Sequence, residues 1–180
     1  KLEKIRKAGD RILAALNEGK INKIAIYDLA SRPAEALAMA EGMALGNYRF
    51  LKYVKKDVSE KEPSLKTIQI ISKQLKSEQL EKLNILCDAV YRCRSLVNEP
   101  LSSLNAEKLA QEFERMGEEA GVKVEVMNKS RIEALRMGGL LAVNRGSIDP
   151  PTFTVMEYKP EKAVNKRPLV LVGKGIVYDT

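Results

Sequence analysis

Residues 23–52, KIAIYDLASRPAEALAMAEGMALGNYRFLK, place a short β-rich run directly before a segment rich in alanine and methionine. The run Lys23–Tyr27 predicts a strand. Pro33 predicts the first turn of a helix that continues to about Lys52, because proline is tolerated at the start of a helix. The stretch is therefore one strand followed by one helix, which is the repeating unit of an α/β fold.

The same alternation continues on both sides of this unit. Apolar spacing predicts helices over residues 1–17, 77–97 and 105–121, and a capping-box pattern at Ser130 predicts a short helix that ends near Gly138. Strand patterns cover residues 67–71, 122–126, 152–158 and 169–172, with a hairpin-like connection over residues 159–168. We expect an α/β protein with two domains joined by a long helix, each with a mixed sheet flanked by helices and each incomplete here. Residues 1–76 are predicted to form the last part of an N-terminal domain. Residues 77–180 are predicted to form the linker helix and the start of a second domain.

Composition excludes several classes of protein. With 180 residues, of which 44% are hydrophobic and 31% charged, the chain is ordinary globular material. Histidine is absent, which excludes Ser–His or Cys–His catalysis and a histidine-based zinc site within these residues. Cys87 and Cys93 lie six residues apart on a predicted helix, so they point to different sides and do not pair. Two free thiols and no apolar run of about 18 residues predict a cytoplasmic protein without a membrane span.

The net charge of +7 raises the question of a nucleic-acid partner. Residues 1–90 carry 17 basic and 12 acidic side chains, and residues 91–180 carry 14 and 12, so no long basic tract exists. The densest cluster is residues 48–56, YRFLKYVKK, where aromatic and cationic side chains alternate. Such a mixture can stack bases and hold phosphates. We favour a helix end, where cations meet the negative pole of the helix dipole, and expect no nucleic-acid partner.

Residues 169–180, LVLVGKGIVYDT, place Lys174 and Asp179 just beyond a predicted buried strand. Ligands of open α/β sheets collect beyond the carboxyl ends of strands. The two glycines around Lys174 allow a phosphate-binding interpretation, although the spacing of a phosphate-binding loop is missing. In a second interpretation Asp179 binds a metal ion and Lys174 is its neighbour or co-ligand. In a third, Lys174 is a surface lysine and Asp179 caps a helix.

The same stretch resembles the segment that opens the metal site in the leucyl aminopeptidase (cytosol aminopeptidase) family. Further segments resemble that family in the same order along the chain: residues 48–53, 94–100, 137–151 and 158–159. There are two departures. Val177-Tyr178 stands where the family more often has Thr-Phe, and Asn144 stands where a second glycine is common.

The resemblance implies a metal-dependent aminopeptidase that releases N-terminal residues, preferably leucine, by two-metal hydrolysis. It implies two divalent ions, zinc or manganese, with Lys174 as an amine ligand and Asp179 as a carboxylate shared by both ions. The family's other ligands, a second lysine and a catalytic arginine lie further along than these residues, so we expect no catalytic residue here and no activity from this segment alone. The resemblance also implies peptide substrates with a free N-terminus, a cytoplasmic location and a homo-hexamer. The alternative is a non-catalytic α/β binding module for nucleotides or nucleic acid.

Overall fold

The computed structural model describes residues 1–175 and shows an α/β architecture, as predicted. Its elements follow in the order α1 (Leu2–Glu18), β1 (Lys23–Tyr27), α2 (Pro33–Gly46), α3 (Val58–Lys61), β2 (Thr67–Ile71), α4 (Ser77–Asn98), α5 (Ala106–Ala120), β3 (Lys123–Met127), α6 (Lys129–Ala134), α7 (Gly138–Asn144) and β4 (Phe153–Glu157). Backbone contacts divide the chain into two compact units, Lys1–Asn98 and a second that begins at Glu99.

The first unit contains a parallel pair of strands with one face against helices. In the β1–β2 pair, Ile24 lies opposite Ile68 and Ile26 lies opposite Ile70. These isoleucines are half-buried and alternate with exposed residues, as the two-residue period of a strand requires. Ile24, Ile26 and Ile68 contact the buried core of this unit, which is formed by Leu13 of α1, Met43 of α2 and Leu65.

Two glycines allow α1 and α2 to approach closely. A Cβ atom at Gly42 would lie 2.0 Å from the carbonyl oxygen of Arg6, and one at Gly9 would lie 2.4 Å from that of Met39. No side chain fits at these distances, so the two helices pack through bare backbone at this crossing. Alanines at positions 36, 38 and 40 of α2 are also buried.

The second unit places α5 against an antiparallel pair of strands. Val124 of β3 lies opposite Met156 of β4, and a Cβ atom at Gly117 of α5 would lie 2.3 Å from Val124 Cγ2. The predicted ends of α5 are confirmed. Asn105 accepts a hydrogen bond from the Lys108 N–H, and Gly121 ends the helix with a φ of +66°.

Three predicted details differ from the structure. α2 ends at Gly46 rather than near Lys52. Gly46 and Asn47 are weak helix formers, and side chains from elsewhere bind the carbonyls of the last turn. α6 is capped by Asn128, whose side chain accepts from the Arg131 N–H, and not by Ser130. A parallel pair and an antiparallel pair form separate two-stranded sheets in the described residues, so neither of these sheets is mixed.

The long helix α4 belongs to the first unit by its contacts, which are mainly with α2. Its role as a linker, and the boundary between residues 76 and 77, stay predictions about the complete protein. Cys87 is buried, Cys93 is exposed and both are free thiols, as predicted. Within residues 1–175 no helix is both long and apolar enough to cross a membrane.

Candidate metal-binding segment and its surroundings

The segment that follows β4 carries the candidate metal ligands. Residues 158–175 contain neither helix nor strand, and the side chains of residues 169–172 are 70–93% exposed. The predicted strand Leu169–Val172 is therefore wrong for this structure. Its alternating β-branched pattern favours a strand, but a strand also needs a neighbour that satisfies its N–H and C=O groups. Neither described pair of strands includes these residues.

Lys174 lies at the end of this exposed segment and is itself exposed. Leu109 of α5 lies beside the adjacent Gly175, at 3.9 Å from the position that a Cβ atom would take. Asp179, the second predicted ligand, lies outside the described residues. No group of three or more Cys, Asp or Glu residues suited to a metal ion occurs within residues 1–175. The described residues therefore do not form a metal site by themselves.

The glycine-rich stretch before β4 is held to the start of α5 by a polar network that the sequence patterns did not reveal. Asn105 Nδ2 donates to Asp149 Oδ1 across 3.2 Å, and Asn144 Nδ2 donates to the Asp149 carbonyl across 2.9 Å. Thr152 Oγ1 donates to the carbonyl of Ala106 across 3.2 Å. Asn105 thus has two roles, since it also caps α5. The network fixes the path of the chain into β4 and hence towards the candidate segment.

The basic cluster of residues 48–56 adjoins the end of α2, which supports the helix-end interpretation for its first cation. Arg49 Nη1 donates to the carbonyls of Gly46 and Tyr48, at 3.1 and 2.7 Å. Lys55 and Lys56 lie on the exposed surface. Cations near the last carbonyls of a helix interact favourably with its dipole, so Arg49 has a structural role.

Two residues of α4 complete the same helix end. Tyr91 Oη donates to the carbonyl of Ala44, and Arg94 Nη1 donates to the carbonyl of Leu45. Burial is the main cause that raises the pKa of the Tyr91 phenol, so the hydroxyl keeps the proton that it donates. The guanidinium of Arg94 also lies 5.7 Å from the centre of the Tyr48 ring. Sequence reasoning missed this arrangement because the partners are almost 50 residues apart.

An apolar groove of about 400 Å³ lies along the C-terminal half of α4. Its lining includes Tyr48, Val90, Cys93 and Val97, and Val97 is 84% exposed. Among the described residues, the groove contains no carboxylate and no cluster of polar groups that would bind a metal ion or hydrolyse a peptide.

Comparison with known proteins identifies the family. Residues 91–180 match the sequence profile described as the cytosol aminopeptidase family, catalytic domain. The chain belongs to the cytosol aminopeptidase family. The resemblance found in the sequence is thereby confirmed.

Curated relatives of the family match most of the chain. A probable cytosol aminopeptidase of Chlorobium limicola is 42% identical over 154 residues, which cover 79% of this chain and 30% of the relative. One from Persephonella marina is 34% identical over 189 residues, which cover 99% of this chain and 37% of the relative. The chain thus spans about a third of the length of these curated cytosol aminopeptidases.

Solved structures share the fold. A mutant of tomato leucine aminopeptidase aligns with a TM-score of 0.77 at 21% identity, over 88% of this chain and 34% of that protein. The bottromycin maturation enzyme BotP in complex with Mn aligns with a TM-score of 0.74 at 24% identity, over 89% and 34%. At these identities the likeness supports the fold alone.

Proposed function

We propose that the complete protein containing this chain is a metal-dependent aminopeptidase that releases N-terminal residues, preferably leucine, from peptides. The match of residues 91–180 to the catalytic domain of the cytosol aminopeptidase family carries this proposal. The matched stretch includes Lys174 and Asp179, the two proposed metal ligands. The family match also argues against a non-catalytic nucleotide or nucleic-acid binding module.

The proposed cofactor is a pair of divalent ions, manganese or zinc. Manganese is the metal named for BotP, which shares the fold. When bound, such ions would supply an activated water and would polarise the scissile carbonyl. Within this chain, Asp179 would contribute a carboxylate and Lys174 an amine. The remaining ligands would come from residues outside positions 1–175, which hold no suitable cluster.

The proposed role of Lys174 is that of an amine ligand. Its position between Gly173 and Gly175 leaves open space around the backbone at Gly173, so neighbouring groups can approach closely. The ammonium group loses its proton more easily beside a dication, because nearby positive charge disfavours the charged form. Lys174 would then bind as a neutral amine, whereas a phosphate-binding lysine would stay protonated.

We also propose a cytoplasmic homo-oligomer, a hexamer by resemblance, that acts on peptides with a free N-terminus. The proposed substrates are peptides, and nucleic acid is not a proposed partner. The direct contacts of Arg49 with the end of α2 support that choice, because they give the first cation of the basic cluster a structural partner.

The 180-residue chain by itself is proposed to be inactive. Two dications need several carboxylates to offset their charge, and this chain offers Lys174 and Asp179 as candidates. Hydrolysis of a leucine amide should be measured with added manganese or zinc, in parallel for this chain and for a version extended to the length of the curated relatives. We expect turnover from the extended protein alone.

The two outcomes that oppose the proposal are distinct. Clear turnover by the 180-residue chain would show that its own residues form a complete site. Absence of peptide hydrolysis by a folded, metal-loaded extended protein would contradict the aminopeptidase function itself. Circular dichroism of both proteins serves as the folding control.

A further inference from the structure

A polar cleft lies on the first unit where α1 packs against the end of α2. Its volume is about 740 Å³, within the range of about 300–1,000 Å³ that is usual for pockets that bind small molecules. Its walls come from the first half of α1, the last turns of α2, Tyr48, Arg49 and Arg94. All of these residues belong to the first unit, so the cleft is formed within that unit alone.

Three charged residues of the cleft already pair with each other. Arg6 Nε lies 2.8 Å from Glu41 Oε2, and Arg6 Nη1 lies 3.7 Å from Glu3 Oε2. One guanidinium group thus holds two carboxylates. The charges that remain available to a ligand are those of the other residues in the cleft.

Asp10 is a carboxylate of the cleft that has no partner among residues 1–175. Neither of its oxygens forms a hydrogen bond or an ion pair there, and the exposed Lys7, one turn earlier on α1, does not pair with it. Asp10 Oδ1 lies against the backbone of Gly46, since a Cβ atom at Gly46 would be 2.1 Å away from it. Gly46 is the last residue of α2, where the helix dipole has its negative pole. The surroundings of Asp10 therefore favour a cation.

Two guanidinium groups lie beside the same helix end. Arg49 Nη1 donates to the carbonyl of Gly46 across 3.1 Å, and Arg94 Nη1 donates to the carbonyl of Leu45. Each guanidinium carries five N–H donors, and in the described part of the chain Nε and Nη2 of both arginines make no hydrogen bond. These donors are available to a carboxylate, whose geometry suits a planar guanidinium. Neither arginine lies within ion-pair distance of Asp10.

We propose that this cleft binds a free α-amino acid, with its ammonium group at Asp10 and its carboxylate at Arg49 and Arg94. Asp10 and Arg49 both lie beside Gly46 but are too far apart to form an ion pair. An α-amino acid carries its ammonium and its carboxylate on one carbon, so it bridges two opposite charges that are separated in this way. Each charge of the ligand then meets a group that lacks a partner of opposite charge in the free protein.

A zwitterion fits the cleft better than a simple anion does. A phosphate ion at the two arginines would share the cleft with the unpaired carboxylate of Asp10, which would repel it. An amino acid instead places a positive charge beside that carboxylate. Leu45 and the ring of Tyr48 also line the cleft and offer apolar surface to a side chain such as that of leucine.

Titration of the isotope-labelled 180-residue chain with leucine, followed by NMR, tests the proposal. Leucine is expected to bind with a dissociation constant of about 1 mM, because exposed charged contacts are weak. The backbone signals that shift should be those of α1, Gly46 and Arg49. N-acetylleucine lacks the ammonium group and leucine amide lacks the carboxylate, so each should bind about fivefold less tightly. This binding is independent of the proposed peptidase activity, because neither Lys174 nor Asp179 lines the cleft.

Two variants assign the charges of the ligand to their partners. Asp10→Asn should bind leucine and N-acetylleucine equally, and Arg94→Gln should bind leucine and leucine amide equally. Asp57→Asn and Arg11→Gln make the same changes at exposed sites outside the cleft and should bind like the unaltered chain. Circular dichroism checks the folding of Arg94→Gln, which loses its bond to α2. Asp10→Asn loses no hydrogen bond seen within residues 1–175 and tests the proposal by itself.

Four outcomes would overturn the proposal. They are the absence of a saturable shift with leucine, equal binding of the three compounds by the unaltered chain, an undiminished preference for leucine over N-acetylleucine in Asp10→Asn, and equal weakening in the control variants. Inorganic phosphate is the competing probe. Tighter binding of phosphate than of leucine would assign the two arginines to an anion site and would also overturn the proposal.

Discussion

The side chain of Asn17 accepts a hydrogen bond from the backbone N–H of Leu65 across 3.1 Å. The same oxygen accepts from the Ser64 N–H across 2.9 Å, and Asn17 Nδ2 donates to Asn47 Oδ1 across 3.3 Å. Leu65 is 2% exposed and belongs to the core of the first unit. One side chain at the end of α1 therefore holds both the loop before β2 and the residue that follows α2.

Replacement of Asn17 by alanine is expected to lower the free energy of unfolding by about 1–3 kcal/mol, because two backbone N–H groups lose their acceptor. Asn17→Asp keeps that acceptor and loses only the donor to Asn47, so it should lower the free energy of unfolding by less than Asn17→Ala does. Urea unfolding of the three proteins measures the difference. Asn84→Ala on the exposed side of α4 is the control and should stay within about 0.5 kcal/mol of the unaltered chain. Equal stability of Asn17→Ala and the control would exclude the proposed role.

Tyr91→Phe removes one donor from the end of α2 and keeps the aromatic ring. The carbonyl of Ala44 then loses its side-chain partner, and the free energy of unfolding should fall by about 1 kcal/mol. Tyr27→Phe provides the matched control, since Tyr27 is 63% exposed. Thermal unfolding followed by circular dichroism compares the two variants. A loss that is the same in both would show that the hydroxyl of Tyr91 contributes nothing specific.

The two cysteines are expected to differ in reactivity. Burial, followed by the nearby carboxylates of Glu41 and Asp88, raises the pKa of the Cys87 thiol above its ordinary value. Since the thiolate is the reactive form, Cys87 should be alkylated more slowly than the exposed Cys93. Iodoacetamide labelling of Cys93→Ser and Cys87→Ser measures each thiol alone.

The raised pKa of Cys87 also determines how its rate of alkylation depends on pH. A thiol with a raised pKa keeps its proton to higher pH, so labelling of Cys93→Ser should still increase at a pH where a free cysteine has reached its plateau. Rapid labelling of Cys87 at neutral pH would contradict the burial seen here. It would also point to frequent opening of the contact between α2 and α4.

Two substitutions in the extended protein test the proposed metal ligands. Asp179→Asn would remove the negative charge of a proposed metal ligand and should abolish peptide hydrolysis. Lys174→Arg keeps the positive charge but should still cost about a hundredfold or more in activity, with loss of bound metal. The pKa of lysine, about 10.4 in water, can be lowered until the neutral amine binds, whereas arginine stays protonated.

Metal content and hydrolysis should be measured together for these variants, with Lys162→Arg as the control at another exposed lysine. Normal activity with two bound metal ions in Lys174→Arg would remove Lys174 from the set of ligands. The same result would favour the interpretation of Lys174 as a surface or phosphate-binding residue, because arginine preserves both of those roles.

The sequence by itself determined the bounds of those helices and strands whose ends depend on residues nearby in the chain. β1 and β2 have the predicted bounds, Lys23–Tyr27 and Thr67–Ile71, because their alternating pattern acts over a few residues. α5 begins after Asn105 and ends at Gly121 because a side-chain cap and a positive φ each act within one turn. The resemblance to the cytosol aminopeptidase family was likewise readable from short segments in a fixed order.

The tertiary structure decided those features that depend on contacts between residues far apart in the sequence. The carbonyls in the last turn of α2 bind Tyr91 and Arg94, almost 50 residues further along, an arrangement that no local pattern predicts. Residues 169–172 have the composition of a strand and form none, because no described strand pairs with them. Local propensity acts through the backbone of a few residues, whereas pairing requires groups that folding alone brings together.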